Sequence, residues 1–278
     1  MTDFKYQSDS YDRQSQKFVI PLYIRNELGD YNYSSTGTFI YYKQSHYVVF
    51  AAHALRDKDD IRNIYILGSD GEFFALTSIS IGHRIFEEDD LVIVDCFNMI
   101  LDGKNYFSLK DNFNFIGFDK KHFAWTGFPK NWCKTQTIHR TKRPSSIVNQ
   151  TVASNEDGLF FKNAKYFTII SEVKTFNKIE ITGTYKVKNI DLKYKGQVSK
   201  GPSPEGMSGG AMYFFSKGQE LKKELESTFL LAGIGLSFKK DGTIVGISRY
   251  RMIELFEQFN EESPIECSLH FEPVHRFV

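Results

Sequence analysis

The chain has almost no net charge: 35 Lys and Arg stand against 34 Asp and Glu, a formal +1 at pH 7. No global field recruits a polyanion, so neither nucleic acid nor an anionic membrane is an expected partner. The lysine-rich stretch 162–200 reads as a solvated strand-and-loop face. Cysteine is scarce. Cys96, Cys133 and Cys267 are odd in number, and no His, Cys or Asp pair has ligand spacing. A disulfide framework, a metal site and a metal cofactor are therefore not expected. Idle thiols fit a reducing compartment, and a cytoplasmic location is the expectation. Long apolar runs are missing too, since nothing approaches the ~18–20 residues of a membrane span. The longest candidate, 229–236, is cut by Gly233 and Gly235. The N-terminal MTDFKYQSDSYDRQSQK lacks the apolar stretch of a secretion signal. There is no internal repeat and no phosphate-binding glycine loop, and no cofactor is expected.

What the chain does have is β-type sequence. After a polar tail over 1–17, short β-branched and aromatic runs alternate with turn residues. They fall at 18–24, 36–42, 47–51, 63–67, 72–81 and 90–97, and again at 122–127, 158–161, 167–173, 178–186, 210–215, 228–236 and 243–247. Helical periodicity is convincing over 250–259, where Met252, Ile253, Phe256 and Phe259 form an apolar stripe. A dozen or so strands and one terminal helix indicate an all-β barrel or sandwich. A change of texture around 111–121 divides the chain into an N-terminal unit, 18–115, and a C-terminal unit, 116–278.

Three places carry chemistry. In Gly206-Met207-Ser208-Gly209-Gly210, glycines that tolerate positive φ surround one serine. Such a turn can expose a hydroxyl while backbone N–H groups converge beside it, as an acyl-transfer nucleophile and its oxyanion hole require. By itself it reads equally well as a hairpin loop. In 47–55 a buried strand runs through Ala51 and Ala52 into His53, and small residues let the imidazole lie against backbone. In 87–94 an acidic run ends at Asp90, just before the continuous apolar strand 91–94. A carboxylate at such a strand's start can be held and aimed at a histidine. Glu87, Glu88 and Asp89 read as an ordinary acidic loop, and His83, His122, His139, His270 and His275 as surface or packing residues.

Taken in order, His53, Asp90 and Ser208 resemble the triad of the chymotrypsin/trypsin-like serine peptidases. Ala51-Ala52-His53, Asp90-Leu91-Val92-Ile93-Val94 and Gly206 to Gly210 match that family's three motif blocks. Ser35-Thr36-Gly37-Thr38-Phe39-Ile40 is similar to the strand preceding the histidine, and Thr126-Gly127-Phe128-Pro129 to the turn opening the second barrel. The segment 231–236 resembles the strand lining the specificity pocket, so the likeness spans roughly 18–260. It departs where secreted members carry Cys after the histidine, here Ala54, and Pro after Ser-Gly-Gly, here Ala211. It departs again before the serine. The family's Asp there pairs with an N-terminus freed by zymogen cleavage, and Met207 cannot. These departures point to an intracellular, bacterial-type branch.

The resemblance implies two six-stranded Greek-key β-barrels with the active site between them, plus a C-terminal α-helix. It implies a serine endopeptidase with Ser208 as nucleophile, His53 as base and Asp90 as its orienting partner. The oxyanion hole falls at Gly206, Met207 and Ser208. A protein or peptide substrate pairs with Leu236, Ser237 and Phe238, over a pocket drawing on Pro202 and Thr243. That floor lacks an acid, so an apolar or small P1 residue is expected, unless Glu205 at the mouth reverses the preference. Without a zymogen switch, restraint falls to an activating partner, which could order the 201–207 loop, or to narrow substrate choice. The alternative is a catalytically silent barrel that binds or scaffolds peptides, for which the intact triad serves no purpose.

Overall fold

The computed structural model describes residues 13–55, 61–97, 99–101, 103–110, 115–133, 137–155, 158–161, 164–186, 192–194, 197–199, 201–218 and 225–262. Cys267, His270 and His275 lie outside them, as does the polar tail up to residue 12. Residues 13–17 are not loose: Ser15 and Gln16 are buried at a 3-10 turn, Gln16–Phe18, that leads into the first strand.

Two sheets dominate, antiparallel throughout except where residues 40–41 pair with residues 107–108. The first contains β1 (Val19–Arg25), β2 (Tyr31–Tyr42), β3 (Ser45–Ala51), β4 (Ile64–Leu67), β5 (Phe73–Ala75), β6 (Gly82–Phe86) and β7 (Leu91–Asp95). Its order is β5-β4-β1-β2-β3-β7-β6, and the two-residue strands β8 (Phe107–Ser108) and β10 (Thr137–Ile138) lie beside β2. The second follows β13-β9-β18-β19-β20-β15-β14. Its members are β9 (Phe118–Gly127), β13 (Phe167–Glu172), β14 (Thr175–Phe176), β15 (Glu180–Thr184), β18 (Ala211–Ser216), β19 (Phe229–Phe238) and β20 (Thr243–Ser248). Two small hairpins, β11 (Val152–Asn155) with β12 (Gly158–Phe161) and β16 (Leu192–Tyr194) with β17 (Gln197–Ser199), stand apart.

Setting aside strands of fewer than four residues leaves six in each sheet. Numbered in chain order within each sheet, they read 4-1-2-3-6-5 in the first and 2-1-4-5-6-3 in the second. Both are the ring 1-2-3-6-5-4, opened at different places. The 4-1-2-3 run is a Greek key. Bulges between Leu22 and Tyr23, after Met212 and after Gly235 increase the local twist and curl the sheets. The expected all-β fold class is the one observed, and the two sheets repeat a topology that leaves no repeat in the sequence.

Strand periodicity explains the unbroken apolar runs. Successive side chains point to opposite faces. Val48, Phe50, Val92 and Val94 fill the interior of the first sheet. Phe123, Trp125, Met212, Phe214, Leu230 and Ala232 fill that of the second. The alternate residues Tyr47, Val49, Leu91, Ile93, Ala124, Tyr213 and Leu231 share a third cluster between the sheets. A strand buried on both faces needs no polar alternation.

Helix α1 (Pro144–Thr151) was not expected, because its buried face amounts to Ile147 and Thr151 and leaves no readable stripe. Helix α2 (Arg249–Glu262) extends the expected 250–259 at both ends. Met252, Leu255, Phe256 and Phe259 pack into the central cluster, whereas Ile253 is only partly buried. Spacing i, i+3, i+4, i+7 selects Leu255 over Ile253. Each such side chain contributes roughly 1.5–3 kcal/mol of burial.

Candidate active site

Two strand ends build the first half of the site. In the ladder between β3 and β7, Ala51 pairs with Leu91, so the residues beyond these ends are neighbours. β3 runs into a 3-10 turn, Ala52–Leu55, that carries His53. β7 follows a turn closed by the Asp90 N–H donating to the Glu87 carbonyl at 3.1 Å. Asp90 sits at φ +51, the left-handed region that Asp and Asn enter more readily than most residues. There its carbonyl accepts the Ala52 N–H at 3.0 Å. Its carboxylate accepts the His53 N–H on Oδ1 at 2.8 Å, and Oδ2 lies 2.6 Å from His53 Nδ1.

One carboxylate thus holds both the backbone and the ring of His53. Because an ionised carboxylate only accepts, the proton of neutral His53 resides on Nδ1 and Nε2 keeps its lone pair. The hydrogen bond to Asp90 raises the His53 pKa above its ordinary 6.5; partial burial opposes the shift and the charge of Asp90 adds to it. The neighbouring Asp89 is not a free loop acid. Arg251 of α2 grips it with a fork, Nε to Oδ1 at 2.8 Å and Nη2 to Oδ2 at 2.9 Å, and so ties the acidic turn to the terminal helix.

The second half is the turn over 205–210. Gly209 has φ +86, and a Cβ there would lie 2.1 Å from the Thr36 carbonyl oxygen and 3.1 Å from the Ala51 nitrogen. Only glycine fits, and its fit presses the turn against the strand end that delivers His53. The Gly209 N–H donates to the Gly235 carbonyl at 2.8 Å and its carbonyl accepts Thr38 Oγ1 at 2.7 Å. The Thr36 N–H donates to the Ser208 carbonyl at 3.1 Å. Gly209→Ala combines a forbidden contact with an unfavourable φ and is expected to cost more than about 1 kcal/mol of stability, measured by chemical denaturation.

The turn therefore sits against the end of β3, which runs into His53, but the Ser208 hydroxyl makes no hydrogen bond to His53 or to any other described residue. Such contacts are commonly long in unliganded sites and tighten around substrate. Within 205–210, the N–H groups of Gly206 and Ser208 are the two that donate to nothing among the described residues. Met207 does not share that role: its N–H is spent on the Pro204 carbonyl at 2.9 Å, and its side chain is wholly buried in the second sheet's core.

Of the expected substrate-contact residues, Pro202 and Phe238 meet at Tyr185, which sequence reasoning missed because one aromatic after a strand carries no distinguishing signal. Its hydroxyl donates to the Pro202 carbonyl at 2.8 Å, its ring meets Phe238 edge-on at 5.8 Å, and its N–H donates to the Gly242 carbonyl, next to Thr243. Glu205 makes an exposed ion pair with Lys130 at 3.2 Å. β19 pairs with β18 only as far as Ile234, but with β20 as far as Phe238. Among the described residues, Leu236, Ser237 and Phe238 thus present an edge without a strand partner on the nucleophile's side. Under that strand lies Trp125, 1% exposed, with Nε1 2.2 Å from where a Gly235 Cβ would stand and no hydrogen-bond partner among the described residues.

No protein-family model and no curated protein matches the sequence. Among solved structures, the chain is similar to a scabies mite inactivated protease paralogue, at 11% identity and a TM-score of 0.48. The match covers 91% of this chain and 98% of that one. No helix among the described residues is long and apolar enough to cross a membrane.

Proposed function

We propose that the protein is a serine endopeptidase working through an acyl-enzyme. The observation that carries this reading is the double hold of Asp90 on His53, at 2.8 and 2.6 Å, beside a glycine-locked serine turn. A binding module needs no such device. Ser208 Oγ attacks the scissile carbonyl carbon while His53 Nε2 takes its proton. The N–H groups of Gly206 and Ser208 receive the oxyanion. Collapse breaks the C–N bond, and the leaving amine takes the proton from His53. Water then attacks the acyl ester with the same base, and the proton returns to Ser208 Oγ as the acid departs.

The open edge at Leu236, Ser237 and Phe238 supports binding of an extended substrate as an added strand. Neither Pro202 nor Thr243, the expected pocket residues, carries a charge, which supports an apolar or small P1 residue. The pairing of Glu205 with Lys130 counters its pull on a basic P1 side chain. Cleavage of a peptide library is expected to give apolar or small P1 residues; a profile dominated by Arg and Lys overturns this specificity. Restraint by an activating partner or by contacts beyond P1 makes casein a poor substrate of the isolated chain; rapid casein cleavage without additives overturns that restraint.

The reading itself is tested with a fluorophosphonate probe on the isolated chain. Wild type is expected to become labelled and Ser208→Ala not. An unlabelled, folded wild type leaves the peptide-binding role instead.

A further inference from the structure

We infer that Tyr33 and Thr36, hydroxyl residues on β2 of the first sheet, are positioning residues that hold the oxyanion turn in its working shape without proteolytic activation. The inference rests on the peptidase reading and concerns how that site is kept competent.

A peptide unit is planar, with its C=O and N–H pointing opposite ways, so fixing one group aims the other. Gly206 stands between two such units, and both are fixed. In the Glu205–Gly206 unit, the carbonyl accepts the Lys130 N–H at 2.7 Å, which directs the Gly206 N–H away from Lys130. In the Gly206–Met207 unit, the carbonyl accepts Tyr33 Oη at 2.8 Å and Thr36 Oγ1 at 2.9 Å, while the Met207 N–H donates to Pro204. Gly206 needs φ +91 for this, and a Cβ there would crowd the Phe128 carbonyl and the Tyr33 ring at 2.9 and 3.0 Å. The turn cannot flip either unit without breaking bonds that come from outside itself.

The two hydroxyls differ in how they are held. Thr36 Oγ1 accepts the Phe128 N–H at 3.0 Å and donates to Gly206, one bond in each direction, so its single proton is committed to the turn. Tyr33 Oη faces the carbonyls of both Phe128 and Gly206 and shares one proton between them. Burial raises the Tyr33 pKa well above the ordinary tyrosine value, so it stays a donor throughout the working range. The Thr36 backbone adds its bond to the Ser208 carbonyl, so one residue touches the turn on both sides of Met207. Met207 is buried among Phe118, Phe123 and Trp125, where an ion pair to a freed N-terminus has no place. The first sheet does for this turn what a cleavage-generated N-terminus does elsewhere.

The test uses the full chain and a fluorogenic peptide chosen from the library. Thr36→Val and Tyr33→Phe each delete a hydroxyl at nearly constant volume. Each is expected to lower kcat and the fluorophosphonate labelling rate about 10–100-fold, less than the roughly 10²–10³-fold for deleting an oxyanion donor outright because the donor is displaced and not removed, with KM changed less than twofold. Thr36→Ser restores the hydroxyl and is expected to recover most of the rate. Mass spectrometry of the labelled wild type is expected to show an uncleaved N-terminus. If both hydroxyl deletions keep kcat within twofold of wild type, if Thr36→Ser is as impaired as Thr36→Val, or if only an N-terminally processed form reacts, the inference is overturned while the peptidase reading stands. A wild type that neither labels nor cleaves overturns both.

Discussion

Ser208→Ala is expected to lower kcat by about 10⁶-fold, the loss seen when the nucleophile of a serine peptidase is removed while its oxyanion hole and substrate binding remain. Because the Ser208 hydroxyl makes no hydrogen bond among the described residues, the substitution removes chemistry without removing a structural contact. The unfolding midpoint should stay within a degree or so of wild type, since surface and half-buried changes without a lost partner fall within about 0.5 kcal/mol. His53→Ala should match it in kcat, and the double variant should be no slower than either single one, because groups acting as one unit lose their whole effect when any member goes. Steady-state kinetics on all three variants decides the matter. If the double variant shows the product of two independent losses, Ser208 and His53 act separately and the triad assignment fails.

The first half of the site was legible because its signals are local. Ala51-Ala52-His53 and Asp90 stand at the ends of strands whose apolar runs announce them, and the register pairing Ala51 with Leu91 then makes neighbours of His53 and Asp90. Gly209 was legible for the same reason: a backbone that admits no Cβ has to be written as glycine. The illegible parts act across long separations. Thr36 and Tyr33 are ordinary strand residues by propensity; nothing in their own neighbourhood says that they reach a turn 170 and 173 positions away. Asp89 reads as a solvated loop acid until Arg251, 162 positions on, is seen to grip it. Trp125 alternates correctly into the second sheet's interior, but its place under Gly235 depends on how two strands cross.

A common physical cause lies behind these misses. Residues that make the strands have to satisfy a period-2 pattern, which is visible in one pass along the chain. Residues that bring the two sheets into register have only to bear a hydroxyl, a fork or a ring at one point, and such side chains occur throughout any β protein. The interface cluster shows the same division. Tyr47, Val49, Leu91 and Ile93 are plainly buried from their strands, yet which of the two faces of β3 and β7 meets α2 follows from topology alone.

Asp90→Asn separates the orienting role from the structural one. Asn tolerates the left-handed backbone at φ +51 as Asp does, and its side-chain carbonyl can still accept the His53 N–H, so the fold should persist. What changes is the group facing Nδ1. An amide N–H there favours the tautomer with the proton on Nε2, which leaves His53 nothing with which to accept the Ser208 proton. A fall of about 10⁴-fold in kcat is expected, as for the corresponding change in the Ser-His-Asp template. The pH profile carries the second half of the prediction. Neutral His53 is the active form, and Asp90 raises its pKa above 6.5, so wild-type kcat/KM should fall as the pH drops through a value above 6.5. Without the carboxylate that pKa moves down, and the acid limb of the variant's much lower profile should shift to lower pH. Kinetics between about pH 5 and 9 tests both signs together. An acid limb that stays in place, or moves up, means that Asp90 does not set the proton affinity of His53, whatever happens to the rate.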